Sequence, residues 1–292
     1  MKKVYKTITA LLLVCIMVIP GSLSVNAATV AIATNYATLK TAIENKTDTI
    51  VLANDITLED TININYSITL VSFTNYKIYS ASGKRHFNVS NTVGGPTITI
   101  KFQDVKIDGN YLGGGLNIYG DVTIENAVIQ NCNTMYGGAI VSRGPLTFNN
   151  CNFVDNHSNY GGAVYATEGL LTTNDCTFTN NTATYYGGAI ISYTNASIKT
   201  STFTGNIANK GGAIYLANHG TQLTISWSTI SNNSAGYGGG IFNNGTLFFD
   251  YTSIGHNAAG YNGGGIFNTS SATYSSYYGA VNDNSPNNIV TN

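Results

Sequence analysis

The sequence predicts an all-β fold: a right-handed parallel β-helix with three short strands per coil and a short helix capping its N-terminal end. Three observations carry that prediction. A glycine pair followed by a small and an aliphatic residue recurs seven times. A second motif, an aromatic or aliphatic residue three positions ahead of Asn, keeps phase with it. Between the motifs, apolar residues alternate with polar ones as they do in strands.

Taken in order, the chain opens on a secretory signal over residues 1–27. Lys2, Lys3 and Lys6 give a basic start, Ile8 to Ile19 is apolar, and Pro20-Gly21 breaks the run. Val25-Asn26-Ala27 sets small residues where signal peptidase reads, which places cleavage after Ala27. The apolar run is shorter than the roughly 18 residues a membrane span needs, so no transmembrane segment is expected once the signal is removed.

The mature chain, 28–292, reads as one domain. Residues 28–45 form the N-terminal cap, where Ala37, Leu39, Ala42 and Ile43 in Tyr36 to Glu44 have helical spacing. Residues 46–108 are irregular first coils, with short alternating strands at Ile50 and Leu52, Ile56 and Leu58, Ile62 and Ile64, and Ile68 and Leu70. Atypical end units are usual in solenoids. Residues 109–267 are the regular coils. Residues 268–292 form a C-terminal coil and a polar end containing Pro286, suited to blunting a sheet edge.

The regular repeat starts at Gly113, Gly137, Gly161, Gly187, Gly211, Gly238 and Gly263, spacings of 24, 24, 26, 24, 27 and 25 residues. Aligned units give inward columns such as Ile100, Val122, Leu146, Leu171, Ala196, Leu223 and Leu247. Two places on come Phe102, Ile124, Phe148, Thr173, Ile198, Ile225 and Phe249. Stacking each coil on the last, at about 4.8 Å per coil, pairs every strand with its copy. Crossover geometry favours the right hand. Stacked amides then make a ladder of Asn110, Asn156, Asn181, Asn206, Asn233 and Asn257, as in cross-β structures. The glycines supply left-handed backbone at another corner.

Composition narrows the function classes. Charged residues are 9% of the chain and the formal net charge is −1, counting the three lysines of the signal. No basic field exists for nucleic acid or anionic lipid.

The motifs Gly-Gly-Ala-Ile at Gly137–Ile140, Gly187–Ile190 and Gly211–Ile214, and Phe-x-x-Asn at Phe153–Asn156, Phe178–Asn181 and Phe203–Asn206, resemble the polymorphic outer-membrane protein repeat. The likeness covers roughly Gly109 to Phe267, with a weaker pectate-lyase-like look before it. The resemblance implies a β-helical, adhesin-like surface protein. Autotransporter members carry a C-terminal translocating barrel, and none is expected here.

β-Helices also host polysaccharide lyases and glycoside hydrolases, whose acids would fall in shared columns. Glycosidases need two carboxyls about 5–10 Å apart, whereas Asp104 and Asp175 are three coils, or about 14 Å, apart. Asp108, Asp155 and Asp250 occupy columns without a second acid, and His157 and His256 read as solvated turn residues. No catalytic residue, metal ligand or cofactor is assigned. Cys151 and Cys176 share an inward column and read as a stacked pair of thiols, because parallel Cβ vectors strain a disulfide.

Aromatic columns are the candidate binding site. Tyr136, Tyr160, Tyr186 and Tyr237 precede glycine pairs, while Tyr165, Tyr215, Phe242 and Phe267 follow the aliphatic residue and are expected to face out. Such rows suit glycan or surface-protein contact, since the ring packs while the hydroxyl stays wet. The sequence therefore favours a non-catalytic, secreted or cell-surface, adhesin-like protein. A structural envelope protein is the first alternative and a polysaccharide-degrading enzyme the second.

Overall fold

The computed structural model describes residues 28–292 apart from Val93, so the signal segment 1–27 lies outside the described residues. The chain is a parallel β-solenoid. A first sheet of eleven strands runs from Val30–Ala33 to Thr273–Tyr277, a second of ten from Ile56–Thr57 to Ala280–Asn282, and a third of ten from Ile62–Ile64 to Ile289–Thr291. All their strand pairs are parallel, as in Leu146↔Leu171↔Ala196 of the first sheet. The helix α1 (Tyr36–Glu44) closes the N-terminal end. Asn35 caps it in a reciprocal box with Thr38, and it buries Leu39, Ala42 and Ile43.

The glycine-pair coils carry a fourth strand. Six such strands, Asn133–Tyr136 to Ala258–Asn262, fill the segment between the ladder Asn and the glycine pair. Alternation signalled this segment weakly because its inward column is made of small residues, Ser158, Ala183, Ala208 and Ala235.

Register differs from the sequence expectation at one place. Val122 pairs with Ile98 and Ile124 with Ile100, two residues from the expected partners Ile100 and Phe102. The longer strand Ile98–Gln103 accommodates this, pairing Ile100 and Phe102 with Ile68 and Leu70 of the preceding coil. Every one of these side chains still faces inward, since the shift is even. It also sets Lys101 Nζ 2.8 Å from Glu125.

Three left-handed residues bend each regular coil. One precedes the second sheet (Asn126, Asn150, Asp175), one precedes the ladder (Asn131, Asp155, Asn180), and the third, from Gly137 on, is the first glycine of the pair. Asn and Asp tolerate that region better than most residues.

The ladder runs through Asn156, Asn181, Asn206, Asn233, Asn257 and on to Asn284, with Nδ2-to-Oδ1 distances of 2.8–3.0 Å. Each Oδ1 also accepts the backbone N–H of the ladder residue one coil below, and Nδ2 donates to a carbonyl such as Phe153 O. The amides of Asn156, Asn181 and Asn206 are thus satisfied where no water reaches them. Asn110 is outside the ladder, contrary to expectation. It has φ 48°, is exposed, and donates its N–H to Asp108. Cys132 instead heads the column, its N–H donating to Asn156 Oδ1.

Cys132, Cys151 and Cys176 are buried free thiols. Hydrogen bonding to Cys176, then burial, holds the Cys151 thiol well above its ordinary value. Burial pushes Cys132 up to about 12. Both therefore stay protonated and inert. The column above Cys151 and Cys176 continues as a hydroxyl ladder, in which Cys176 N–H donates to Ser201 Oγ and Ser201 N–H to Ser228 Oγ.

Candidate functional site: the aromatic seam at the glycine corner

Tyr136, Tyr160, Tyr186 and Tyr237 each end a strand of the fourth sheet, and the chain then turns through a left-handed glycine into the third sheet. The turn is tight. A Cβ on Gly137 would lie 1.9 Å from Ile140 O and 3.0 Å from Tyr165 Cβ. The tyrosines before the glycines are therefore folded against the outward side chains after them.

The result is a two-row seam of rings. Tyr136 stacks on Tyr160 at 5.4 Å and meets Tyr165 edge-on at 5.2 Å. Tyr186 stacks on Tyr215, Tyr215 on Phe242 and Phe242 on Phe267, with centroids 4.7, 4.9 and 5.0 Å apart. Tyr237 stacks on Tyr261 and meets Phe267 edge-on. Lys210, which interrupts the tyrosine series, places its ammonium 5.1 Å from the Phe242 ring centroid and 5.9 Å from that of Tyr186.

Exposure is uneven along the seam. Phe242 and Phe267 point away from the main core yet are only 5% and 6% exposed, which corrects the expectation that they face solvent. Their neighbours cover them: Lys210 and Tyr215 for Phe242, Tyr237 for Phe267. Tyr160, Tyr165, Tyr186, Tyr215 and Tyr237 are half-buried, and Tyr136 is exposed. Burial raises Tyr193 to about 12 and shifts Tyr160 and Tyr215 upward as well, so these phenols stay neutral.

Three seam residues escaped the sequence reading. Tyr185 and Tyr261 are exposed, the first tilted against Tyr160 and the second stacked on Tyr237, and Tyr193 packs on Tyr165. Irregular register in the strands Thr182–Tyr186 and Ala258–Asn262 moves Tyr185 and Tyr261 out of the expected columns. Their only signal was proximity to Tyr186 and to the Gly263 pair.

Asp108 and Arg85 are tied into structure. Burial opposes ionisation of Asp108, but Lys77 at 2.8 Å, the Asn110 N–H, Asn131 and Gln130 outweigh it and lower its pKa. Arg85 donates to the carbonyls of Gly114, Tyr136 and Gly137 at the first two glycine corners, and burial lowers its pKa to about 10. His157 starts the strand His157–Tyr160, which corrects its reading as a turn residue, and its ring lies 5.6 Å from that of Tyr111. His256 occupies a left-handed corner, exposed. Among the described residues no helix is long and apolar enough to cross a membrane.

These features define a class, a parallel β-solenoid whose glycine-pair coils carry an aromatic seam on one side. Within that class, residues 175–192 and 200–217 match the Chlamydia polymorphic membrane protein repeat. Each segment spans a Phe-x-x-Asn motif and the glycine pair after it, so the matched residues are those that build the ladder and the glycine corner. The repeat and the solenoid together fit a polymorphic membrane protein repeat, β-helix family. No curated protein and no solved structure matches the chain.

Proposed function

We propose that this chain is a non-catalytic, secreted or cell-surface, adhesin-like protein that binds glycan or protein along the aromatic side of its β-helix. The observation that carries the reading is the coincidence of the matched repeat with the seam. The coils bearing the repeat motifs also carry Tyr186, Lys210 and Tyr215, with Tyr185 presented to solvent. Neutral rings with wet edges suit a polar, weakly charged partner.

The test is a glycan and surface-protein array probed with the purified chain and with a Tyr136→Ala/Tyr185→Ala/Tyr261→Ala variant. Binding by the parent that the variant loses supports the proposal. Product release in a parallel lyase and hydrolase screen overturns it. A second reading, a structural envelope protein, draws support from the burial of Phe242 and Phe267, which pack ring on ring between neighbouring coils. Absence of array binding favours that reading.

A further inference from the structure

The eleventh strand of the first sheet, Thr273–Tyr277, has a neighbour on one side only. Thr273 N–H donates to Gly245 O and Tyr251 N–H to Tyr277 O, so residues 273, 275 and 277 bond the coil below. Strand alternation then directs the N–H and C=O of Tyr274 and Ser276 outward along the upper edge. The usual protections of an edge are missing from this strand. It holds no proline, and no charged residue lies between Phe267 and Asn282. Pro286, read from the sequence as blunting an edge, falls between the strands Ala280–Asn282 and Ile289–Thr291, away from the first sheet.

The core columns at this edge are incompletely covered. Tyr274 continues the column of Leu247, Val281 that of Ile254 and Ile289 that of Ile266. The lower three are fully buried, whereas Tyr274 is 44% exposed and Val281 and Ile289 are half-buried. A buried amide gives an independent sign. Asn243 Nδ2 donates to Asn268 Oδ1 at 2.8 Å and to Thr273 O, on the strand one coil above, at 3.0 Å. Asn268 is the next member of that column and is 0% exposed, yet its Nδ2 has no acceptor among the described residues. The matching acceptor belongs to a strand laid over Thr273.

We infer that a second copy of this chain supplies that strand, in a two-fold, end-to-end dimer. The strand is self-complementary about Ser275. Antiparallel pairing centred there sets Tyr274 opposite Ser276 of the second copy, and Ser276 opposite Tyr274 of the second copy. These are the residues whose backbone groups point across the edge, so each pair exchanges both N–H···O bonds. They also continue the inward columns of Leu247 and Phe249, so a large ring faces a small hydroxyl on each side of the axis. The two-fold turns the second sheet of one copy toward the third sheet of the other. Val281 then meets Ile289 of the second copy, and the core continues through the interface. With no charge between Phe267 and Asn282, two like ends approach without repulsion. The dimer does not rest on the binding proposed for the seam.

The test puts charge on the two-fold axis. Light scattering on the purified chain over a concentration series should show a dimer. Ser275 faces its own copy across the axis, so Ser275→Lys and Ser275→Glu should each raise the dissociation constant at least about tenfold. An equimolar mixture of those two variants should restore the dimer. Ser276→Pro removes an edge N–H that the coil below does not use, and should also weaken association. Ser275→Cys should crosslink to its own copy under mild oxidation, since Cys132, Cys151 and Cys176 are buried. Melting curves confirm that each variant folds. A monomer at every concentration, a dimer unmoved by Ser275→Lys and Ser275→Glu, or a mixture that fails to reassociate would each overturn the inference.

Discussion

Asn181 donates from Nδ2 to Asn206 Oδ1 at 3.0 Å, and the same oxygen takes the Asn181 backbone N–H at 2.9 Å. One side chain thus seals a turn in the coil below while its own Nδ2 reaches Phe178 O and Asn233 Oδ1. Replacing Asn206 by Ala leaves two donors of Asn181 unpaired at a site from which water is excluded. The expected loss is about 3 kcal/mol or more, read as a lower denaturant midpoint. Asn110→Ala, outside the ladder, should cost only about 1 kcal/mol, the strain of Ala at its left-handed backbone.

The glycine corner makes a sharper prediction. A Cβ on Gly212 would sit 2.1 Å from Gly239 O and 2.7 Å from Ser234 O, both backbone atoms of the next coil. Neither can withdraw without breaking the parallel ladder, so Gly212→Ala should cost more than about 3 kcal/mol or prevent folding. Gly220, with nothing within 4 Å of its added Cβ, is the control, and Gly220→Ala should leave the melting temperature unchanged. Thermal melts of the two variants test the pair.

Stability should fall in mild acid because of His86. The ring is buried, its Nδ1 accepts the Gly115 N–H at 2.8 Å, and its Nε2 faces Ile78 O at 2.9 Å. That arrangement calls for the neutral ring protonated on Nε2, and burial lowers the pKa from 6.5 to about 4. Between those values the unfolded chain binds a proton that the folded chain refuses, so stability rises with pH there. It should be level above about 6.5 and decline by about 3 kcal/mol as pH falls to 4. Denaturation at pH 7, 5.5 and 4 measures this, and His86→Gln should flatten the slope in that window.

The fold was legible because solenoid stacking repeats every constraint. The inward columns, the glycine pair and the amide ladder each recur in phase, and no hairpin architecture satisfies all three. What stayed hidden has physical causes. The fourth sheet is lined by alanines, which carry no alternation signal of their own. Asn110 shared the motif spacing, but its backbone adopts the left-handed bend itself. Phe242 and Phe267 occupy outward positions, and their burial depends on Tyr237 and Lys210 from another sheet, a tertiary contact that column reading does not contain. Trp227, Tyr251 and Tyr278 fill a left-handed turn column, where Asp and Asn are the usual occupants.

Mutation can separate the packing role of the seam from the binding role proposed for it. Phe242 is 5% exposed between Tyr215 and Phe267, whereas Tyr261 is 65% exposed at the rim. Removing the Phe242 ring opens a void between stacked neighbours, and Phe242→Ala should cost about 3 kcal/mol. Tyr261→Ala removes one ring contact, to Tyr237, and should cost under about 1 kcal/mol. If the seam serves only to hold coils together, losses in binding across such variants will follow their losses in stability. If it is a contact surface, Tyr261→Ala will lower array binding without moving the denaturant midpoint, and Phe242→Ala will move the midpoint while the folded fraction still binds. Paired denaturation and binding curves on the two variants distinguish these outcomes, because the buried and exposed rings lie in one continuous seam and differ mainly in access to solvent.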